Sequence, residues 1–205
     1  MSLKSLFHKA NLKLSQKKQE QLSEYANLII KWNKTRNLVS RNADLETINE
    51  HIFDCACLIP HLEKSNLLDV GSGAGLPGLV ISILDDKKNI KLLEPNQKKI
   101  SFLTHAQAKL DLKNTTIFKE RIENLEEINE ETIITRAVMD PKKLLNVISK
   151  QKNKNLKIIM MVSEPVEISY PNWELKFLIS EAQRVLGKNR GLSLIHISEP
   201  TRPRL

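Results

Sequence analysis

From residue 67 onward, short runs rich in apolar and β-branched residues alternate with segments of helical periodicity, and this alternation limits the fold more than any other feature. The predicted strands are Leu67–Val70, Ile90–Glu94, Thr115–Lys119, Thr132–Ala137, Leu156–Val162 and Glu174–Ile179. The predicted helices between them are Gly78–Leu84, Gln97–Leu110 and Pro141–Lys150. Strands and helices of this length form right-handed βαβ units, whose sheet is parallel and covered on both faces. The sequence therefore predicts an α/β domain with a doubly wound, mostly parallel sheet.

The first 62 residues lack this alternation and carry helical patterns instead. Over residues 16–33, apolar side chains recur at i, i+3 and i+4, and Ser15 is the expected N-cap. Trp32 lies on the apolar face and is expected to pack in the core. A second helix is predicted over Leu45–Leu58. These helices indicate an N-terminal extension that docks on the sheet domain.

Three regions follow from these patterns: a helical segment (1–62), a Rossmann-like domain (63–197) and a tail (198–205). Spaced apolar residues over 192–197 predict part of a strand, whereas the tail has no core-facing pattern. We therefore expect the tail to be non-native or disordered.

The chain is basic, with 32 Lys and Arg against 24 Asp and Glu and a net charge of +8. A basic surface favours phosphate-rich partners, because binding releases condensed counterions. Two interpretations are open for a cluster of lysines: it contacts the phosphates of a nucleic acid, or it forms a solvated face. Its members are Lys87, Lys88, Lys91, Lys98 and Lys99.

The composition favours neither a membrane protein nor a metalloprotein. No apolar run approaches the roughly 20 residues of a transmembrane helix, and the basic N-terminus lacks the apolar core of a signal peptide. Cys55 and Cys57 form a C-x-C pair without histidines at ligand spacing, so we expect reduced thiols. We expect a cytoplasmic, monomeric protein that uses no metal.

The segment LLDVGSGAGLPG (67–78) covers the first predicted strand and a loop with four glycines. Glycines allow positive φ and let a ligand approach the backbone closely, so the loop is expected to bind a nucleotide. Two registers are open. The G-x-G-x-x-G register (73–78) matches a dinucleotide fingerprint, whereas the other register (69–75) places an aspartate ahead of a glycine series.

Asp69 and Pro77 distinguish the two registers. A dinucleotide places its pyrophosphate at the helix N-terminus, where Asp69 would repel it and where Pro77 removes a donor. The sulfonium and ammonium groups of S-adenosylmethionine would instead be attracted by Asp69. Glu94 ends the next predicted strand, where a carboxylate accepts hydrogen bonds from ribose hydroxyls. The sequence favours S-adenosylmethionine, and an NAD-dependent oxidoreductase is the less favoured alternative.

Five blocks of the sequence resemble one family of enzymes. They are DVGSGAGLPG with LLEPNQKKISFL after it, KWNKTRNLVS (31–40), EHIFDC (50–55), KERIENL (119–125) and ITRAV (134–138). In this order they resemble the bacterial small-subunit ribosomal RNA methyltransferase G family, also called glucose-inhibited division protein B. That family consists of class I S-adenosylmethionine-dependent methyltransferases, and the resemblance runs from about residue 15 to about residue 190.

The resemblance implies methyl transfer from S-adenosylmethionine to N7 of a guanine in 16S rRNA, either in naked rRNA or in the small ribosomal subunit. The expected cofactor-binding residues are Asp69, Gly71, Gly73, Gly75, Leu76, Glu94, Ile122, Glu123 and Arg136. Arg136 is placed at the junction of cofactor and substrate, and Arg121 near the substrate, so both are catalytic candidates. His51 and Asp54 are substrate-side candidates, which either pair with each other on a helix face or line the mouth of the site.

The chain departs from the family pattern in two places. The family carries Leu-Lys-Gly after its fifth strand, whereas MMVSEP (160–165) contains no lysine. The closing strand of the family is expected to be replaced by the unusual C-terminal sequence. These departures motivate an alternative, a catalytically impaired S-adenosylmethionine-binding or RNA-binding protein of the same fold.

Overall fold

A computed structural model describes residues 1–63, 66–136, 140–151, 156–170 and 173–197, so the predicted tail lies outside the described residues. The helices are α1 (Leu3–Lys9), α2 (Gln16–Arg36), α3 (Leu45–Ala56), α4 (Gly78–Leu84), α5 (Gln97–Lys109), α6 (Pro141–Ser149) and α7 (Glu181–Leu186). The strands are β1 (Asn66–Val70), β2 (Asn89–Leu93), β3 (Thr115–Phe118), β4 (Thr132–Arg136), β5 (Leu156–Val162), β6 (Trp173–Ile179) and β7 (Gly191–Ile197). None of the described helices is long and apolar enough to cross a membrane.

The strands form one sheet in the order β3-β2-β1-β4-β5-β7-β6. Strands β1 to β5 are parallel to one another, and β7 is antiparallel to both β5 and β6. The predicted doubly wound, mostly parallel sheet is therefore confirmed. The strand order reverses between β1 and β4, and in such sheets ligands bind in the crevice at the carboxyl ends of these strands.

Two hydrophobic clusters cover the two faces of the sheet. The larger one joins the N-terminal helices to α4 and α5, and the smaller one contains Leu144, Leu145 and Ile148 of α6. Ser15 caps α2 by accepting a hydrogen bond from the Lys18 amide (3.4 Å), as predicted. The N-terminal helices thus share the main core with the sheet, and the predicted boundary at residue 62 stays a prediction.

Trp32 lies at the edge of the larger cluster. Its ring meets the ring of Phe102 edge-on, with 5.7 Å between the centroids. It is one of the partly buried side chains packed against this cluster, which confirms its predicted packing role.

The unusual C-terminal sequence, which was expected to replace the closing strand of the family, itself forms a strand of this sheet. Strand β7 lies between β5 and β6 and pairs with both along its full length. Leu192 belongs to one hydrophobic cluster, whereas Ile195 and Ile197 belong to the other. An interior strand buries both faces, so its apolar residues need not follow the one-sided alternation by which an exposed strand is recognised.

The remaining differences concern the ends of elements and the short helices. The predicted second helix ends at Ala56, two residues early, and Glu94 lies just beyond β2. Helices α1 (seven residues) and α7 (six residues) were not predicted.

Candidate functional site

A cavity of about 800 Å³ opens at the carboxyl ends of the parallel strands. The loops after β1, β2 and β3 and the end of β4 form most of its wall, and residues 38–40, His51 and Lys143 complete it. The predicted residues that line it are His51, Gly71, Gly73, Leu76, Glu94, Arg121, Ile122, Glu123 and Arg136. We call it the first cavity.

The glycine loop is tied to the end of β2 by backbone and side-chain hydrogen bonds. The amides of Gly71 and Ser72 donate to the carbonyl of Leu93, at 2.8 and 3.1 Å. The amide of Gly73 donates to Glu94 Oε2 (2.9 Å). The loop and the acidic residue therefore meet in one wall of the first cavity.

Glu94 is held in place from a second direction. Its Oε1 atom accepts a hydrogen bond from the Asn96 amide (2.8 Å), and only 4% of the residue is exposed. Each carboxylate oxygen has a further lone pair, because an ionised carboxylate offers about four acceptor positions. Glu94 therefore presents fixed acceptor capacity to the first cavity.

Asp69 does not lie where the sequence predicts it. It is fully buried behind the glycine loop and does not line the first cavity. Its Oδ2 atom accepts a hydrogen bond from the Gly78 amide (3.0 Å), whereas Oδ1 has no hydrogen-bond partner among the described residues. The expected direct attraction between Asp69 and a cationic ligand is thus not supported by this geometry. The reason is that the Asp69 carboxyl faces the start of α4, where Oδ2 accepts the otherwise unpaired amide of Gly78.

The same contact still argues against a dinucleotide. Pro77 has no amide hydrogen, and the Gly78 amide is already bound to Asp69. A pyrophosphate at the start of α4 would need these backbone donors. Asp69 therefore selects against an anion by occupying the helix terminus rather than by contacting the ligand.

Gly75 is the other predicted loop residue that does not line the first cavity. Its φ is +84°, and a Cβ atom there would lie 2.5 Å from Leu79 Cδ1 and 3.0 Å from the Tyr25 hydroxyl. Glycine is needed at this position for close packing of the loop on α2 and α4.

Arg136 lies at the end of β4 and contacts two side chains of α3. Its Nη2 atom is 2.7 Å from His51 Nδ1, and its Nη1 atom is 3.7 Å from Cys55 Sγ. Burial, followed by the nearby charge of Arg136, lowers the pKa of His51 to about 4. His51 is therefore neutral at neutral pH.

A second cavity, of about 660 Å³, lies on the other side of Arg136. Asp54 and Arg190 line it, and Asp54 Oδ2 is 3.2 Å from Arg190 Nε. Of the two alternatives for His51 and Asp54, pairing with each other is wrong. His51 contacts Arg136, whereas Asp54 forms an ion pair with Arg190. Arg136 is the residue that the linings of the two cavities share.

The segment after β3 brings three predicted residues to the first cavity. Ile122 is buried, and Arg121 and Glu123 are exposed. The carboxylate of Glu120 accepts hydrogen bonds from the Arg121 amide (2.8 Å) and from Asn124 Nδ2 (2.6 Å). Glu120 thus fixes the backbone of this segment.

With this geometry established, comparison with known proteins assigns the family. The model of the rRNA small subunit methyltransferase G family, GidB, matches residues 18–193. The chain belongs to this family. The assignment confirms the predicted methyltransferase and its cofactor, S-adenosylmethionine, and leaves no support for an oxidoreductase.

Curated relatives agree with the assignment, and a solved structure agrees with the fold. The enzyme named ribosomal RNA small subunit methyltransferase G of Ruthia magnifica is 39% identical over 138 residues, which are 67% of this chain and 68% of that protein. The protein of the same name from Actinobacillus pleuropneumoniae serotype 3 is 31% identical over 97% of this chain and 98% of its own length. A crystal structure of a variant of MtNAS in complex with S-adenosylmethionine covers 97% of this chain and 85% of its own, with a TM-score of 0.60 and 12% identity, and shows the fold alone.

The first cavity fits the cofactor of this family on two observations. Glu94 is almost entirely buried and yet lines the cavity, so its fixed carboxylate can accept hydrogen bonds from a polar ligand. In the part of the chain that the structure describes, a Cβ atom on Gly73 would have only Gly71 O, at 3.8 Å, near it beyond its chain neighbours, so that the absent side chain leaves room for a ligand against the backbone. The residues that would hold the cofactor are Gly71, Gly73, Leu76, Glu94, Ile122 and Glu123.

Sequence reasoning missed one wall of the first cavity, formed by residues 38–40. Asn33 of α2 fixes this wall, because its Nδ2 atom donates to Ser40 O (2.9 Å) and its Oδ1 atom accepts from the Val39 amide (3.0 Å). The available signal was the position of Asn33, four residues after Ile29 and therefore on the apolar face of the predicted helix, where a polar side chain needs partners from the following loop.

The lysines of the predicted cluster lie in different environments. Lys99 lines the first cavity, and Lys143, which was not predicted, joins it there. In contrast, Lys88 is buried and donates to Leu62 O (2.8 Å), and Lys91 forms an ion pair with Glu130. Contact of Lys88 and Lys91 with phosphates is therefore not supported, because both ammonium groups are already held by the protein.

Asp69 gives the first testable prediction. Burial raises its pKa from the ordinary 3.8 to about 7, against the effect of the hydrogen bond from Gly78. Because this folded-state pKa is higher than the unfolded one, the contribution of Asp69 to stability is greatest below about pH 4 and declines as the pH approaches 7. We expect the unfolding free energy of Asp69→Asn, relative to the wild type, to increase by more than about 1.4 kcal/mol between about pH 4.5 and about pH 8.

Urea unfolding at the two pH values measures this difference. Asp111→Asn is the control, because Asp111 is exposed and its difference from the wild type should change little with pH. A difference for Asp69→Asn that stays constant with pH would contradict a buried, titrating carboxyl.

Proposed function

We propose that this chain transfers the methyl group of S-adenosylmethionine to N7 of a guanine in 16S rRNA. The family assignment supports the reaction class. The observation that carries the proposal is the position of Arg136, which lines a cavity suited to the cofactor on one side and a second cavity on the other. Two reactants in these cavities would meet at Arg136.

For this reaction the main task of the protein is to position the two reactants. When bound, S-adenosylmethionine supplies a methyl group already activated by its sulfonium. N7 of guanine carries an in-plane lone pair, so no side chain has to remove a proton from it. Holding two reactants in the correct geometry contributes up to about 7–11 kcal/mol in favourable cases. The residues of this site therefore serve to bind, orient and exclude water.

The second cavity has the polar groups that a guanine requires. Guanine presents N1–H and amino donors on one edge and the O6 and N7 acceptors on another. Carboxylates of Asp140, Glu164 and Glu167 and the guanidinium groups of Arg136 and Arg190 line this cavity. We assign the target base to the second cavity, with N7 towards the methyl group of a cofactor in the first cavity and O6, an acceptor, towards Arg136.

The segment MMVSEP, which lacks the lysine of the family pattern, forms part of this wall. Lys142 lines the same cavity, and its Nζ atom lies 3.0 Å from Glu167 Oε2. Cationic groups are therefore present without that lysine. This favours an active enzyme over the impaired binding protein. The substrate form, the monomeric state and the cytoplasmic location stay predictions.

Methyl incorporation tests the proposal directly. The full chain is incubated with methyl-labelled S-adenosylmethionine and either undermethylated small subunits or their extracted rRNA, and nucleosides are separated by mass spectrometry. We expect label in 7-methylguanosine with at least one of the two substrates. Binding of S-adenosylhomocysteine without any labelled nucleoside would instead support the impaired binding protein.

The N-terminal helices contribute to the cofactor site, and Tyr25 tests this. Tyr25 of α2 is fully buried and donates its hydroxyl hydrogen to Ala74 O (2.5 Å), and Ala74 lines the first cavity. Tyr25→Phe leaves that buried carbonyl without this donor. We expect it to lower the unfolding free energy by about 1–2 kcal/mol and to weaken S-adenosylhomocysteine binding several-fold in calorimetry.

Tyr170→Phe is the matched control, since Tyr170 is the other tyrosine and packs on Trp173 at a ring distance of 4.5 Å, outside the first cavity. Its affinity for S-adenosylhomocysteine should equal that of the wild type. Equal affinities for Tyr25→Phe and the wild type would mean that α2 only supports the core.

A further inference from the structure

The guanidinium of Arg136 is held from α3, and its orientation depends on one nitrogen atom. Nη2 donates to His51 Nδ1 over 2.7 Å, a short distance for such a bond. The second contact, from Nη1 to the sulfur of Cys55 at 3.7 Å, is with a weak acceptor. His51 is therefore the stronger of the two partners on α3.

This contact specifies the chemical state of His51. A guanidinium has only donors, so Nδ1 must carry its lone pair and the ring proton must sit on Nε2. A protonated imidazole would place a donor and a positive charge against Arg136. Burial and the charges of Arg136, Arg190 and Lys188 lower the pKa of His51 to about 4, which keeps the acceptor form at physiological pH.

The acidic neighbours do not take over this role. Asp54, three residues along α3, pairs with Arg190, and Glu50 pairs with Lys188. Burial raises the pKa of Cys55 to about 12, so its sulfur is a neutral thiol and offers no charge to Arg136. A neutral imidazole therefore fixes Arg136, and the guanidinium keeps its full positive charge for a ligand.

We propose that His51 is a positioning residue, which accepts a hydrogen bond from Arg136 and thereby holds its guanidinium at the boundary between the two cavities. This inference rests on the proposed function, because it assigns the held arginine a task in methyl transfer. It changes the role predicted for His51, from a group that faces the substrate to one that acts through Arg136.

Two substitutions separate this role from simple packing. In His51→Asn the side-chain oxygen can replace Nδ1 as the acceptor, whereas His51→Leu fills the space without an acceptor. We expect His51→Leu to lower kcat at least 30-fold while KM for S-adenosylmethionine changes less than threefold, and His51→Asn to retain kcat within fivefold. Equal loss in both variants, or no loss in either, would overturn the proposal.

His8→Leu is the matched control, because His8 is an exposed residue of α1, and its kinetic constants should match those of the wild type. A spectroscopic measurement makes the test independent of activity. Nitrogen-15 NMR of the full chain should show His51 with an unprotonated Nδ1 and a protonated Nε2 between pH 6 and pH 8. The Arg136 guanidinium signals should be resolved in the wild type and in His51→Asn, and averaged by rotation in His51→Leu.

The two measurements distinguish the possible failures. If the wild type methylates no rRNA but the NMR signals behave as expected, the proposed function fails and the held geometry of Arg136 stands. If a protonated Nδ1 is found, or if the Arg136 signals are the same in all three proteins, the positioning role of His51 is wrong.

Discussion

Gly73→Val is expected to lower the affinity for S-adenosylhomocysteine at least about 100-fold, which corresponds to about 2.8 kcal/mol. Gly73 lines the first cavity, and its amide is bound to Glu94. Among the described residues, apart from the chain neighbours of Gly73, Gly71 O is the only atom within 4 Å of the position of a Cβ atom, so the new side chain would occupy the volume of the ligand. Isothermal calorimetry with S-adenosylhomocysteine measures the loss.

Gly187→Val separates this steric effect from backbone strain. Gly187 has φ +67°, close to the +58° of Gly73, and no atom of the described chain beyond its two neighbours lies within 4 Å of its Cβ position. Both substitutions force a side chain into the left-handed region, at a cost of about 1–2 kcal/mol each. We expect similar losses of unfolding free energy in the two variants and lost affinity in Gly73→Val alone. An affinity loss of the same size in Gly187→Val would show that strain, rather than occupied volume, is responsible.

Arg136→Met is expected to reduce kcat by about 100-fold or more, the size found when a single oriented donor is removed from an active site. Arg136 is the group shared by the two cavities, so it can contact both reactants. The fold should lose only about 1–3 kcal/mol, because His51 Nδ1 is left without its partner. Single-turnover methylation and urea unfolding measure the two effects.

Arg184→Met is the control for the loss of a cationic side chain. Arg184 lies on α7, is largely exposed and pairs with Glu181 at 3.3 Å. We expect its kcat and stability to match those of the wild type. If Arg136→Met keeps the kcat of the wild type, Arg136 has only a structural role. Its position in the linings of both cavities would then no longer support the proposed function.

Asp69 shows how far sequence reasoning reached at this site. Its charge led to the correct cofactor, yet the side chain lies behind the loop and holds the amide of Gly78. The direction of a side chain at the end of a buried strand depends on how the next helix packs against the strand. The local sequence pattern does not predict that packing. The cofactor was thus predicted correctly, while the mechanism by which Asp69 favours it was not.

Local chemistry in the sequence determined the parallel sheet, the glycine loop, the acid after β2 and the arginine at the end of β4. Periodicity and backbone preference act over a few residues, so these features are readable along the chain. Only the tertiary structure decided that Arg136 lines two cavities, that its partner is His51, and that β7 lies between β5 and β6. These depend on contacts between residues 81 and 85 positions apart in the chain, and on burial of both faces of one strand. No local pattern encodes such distant contacts, because they form only when separate elements pack together.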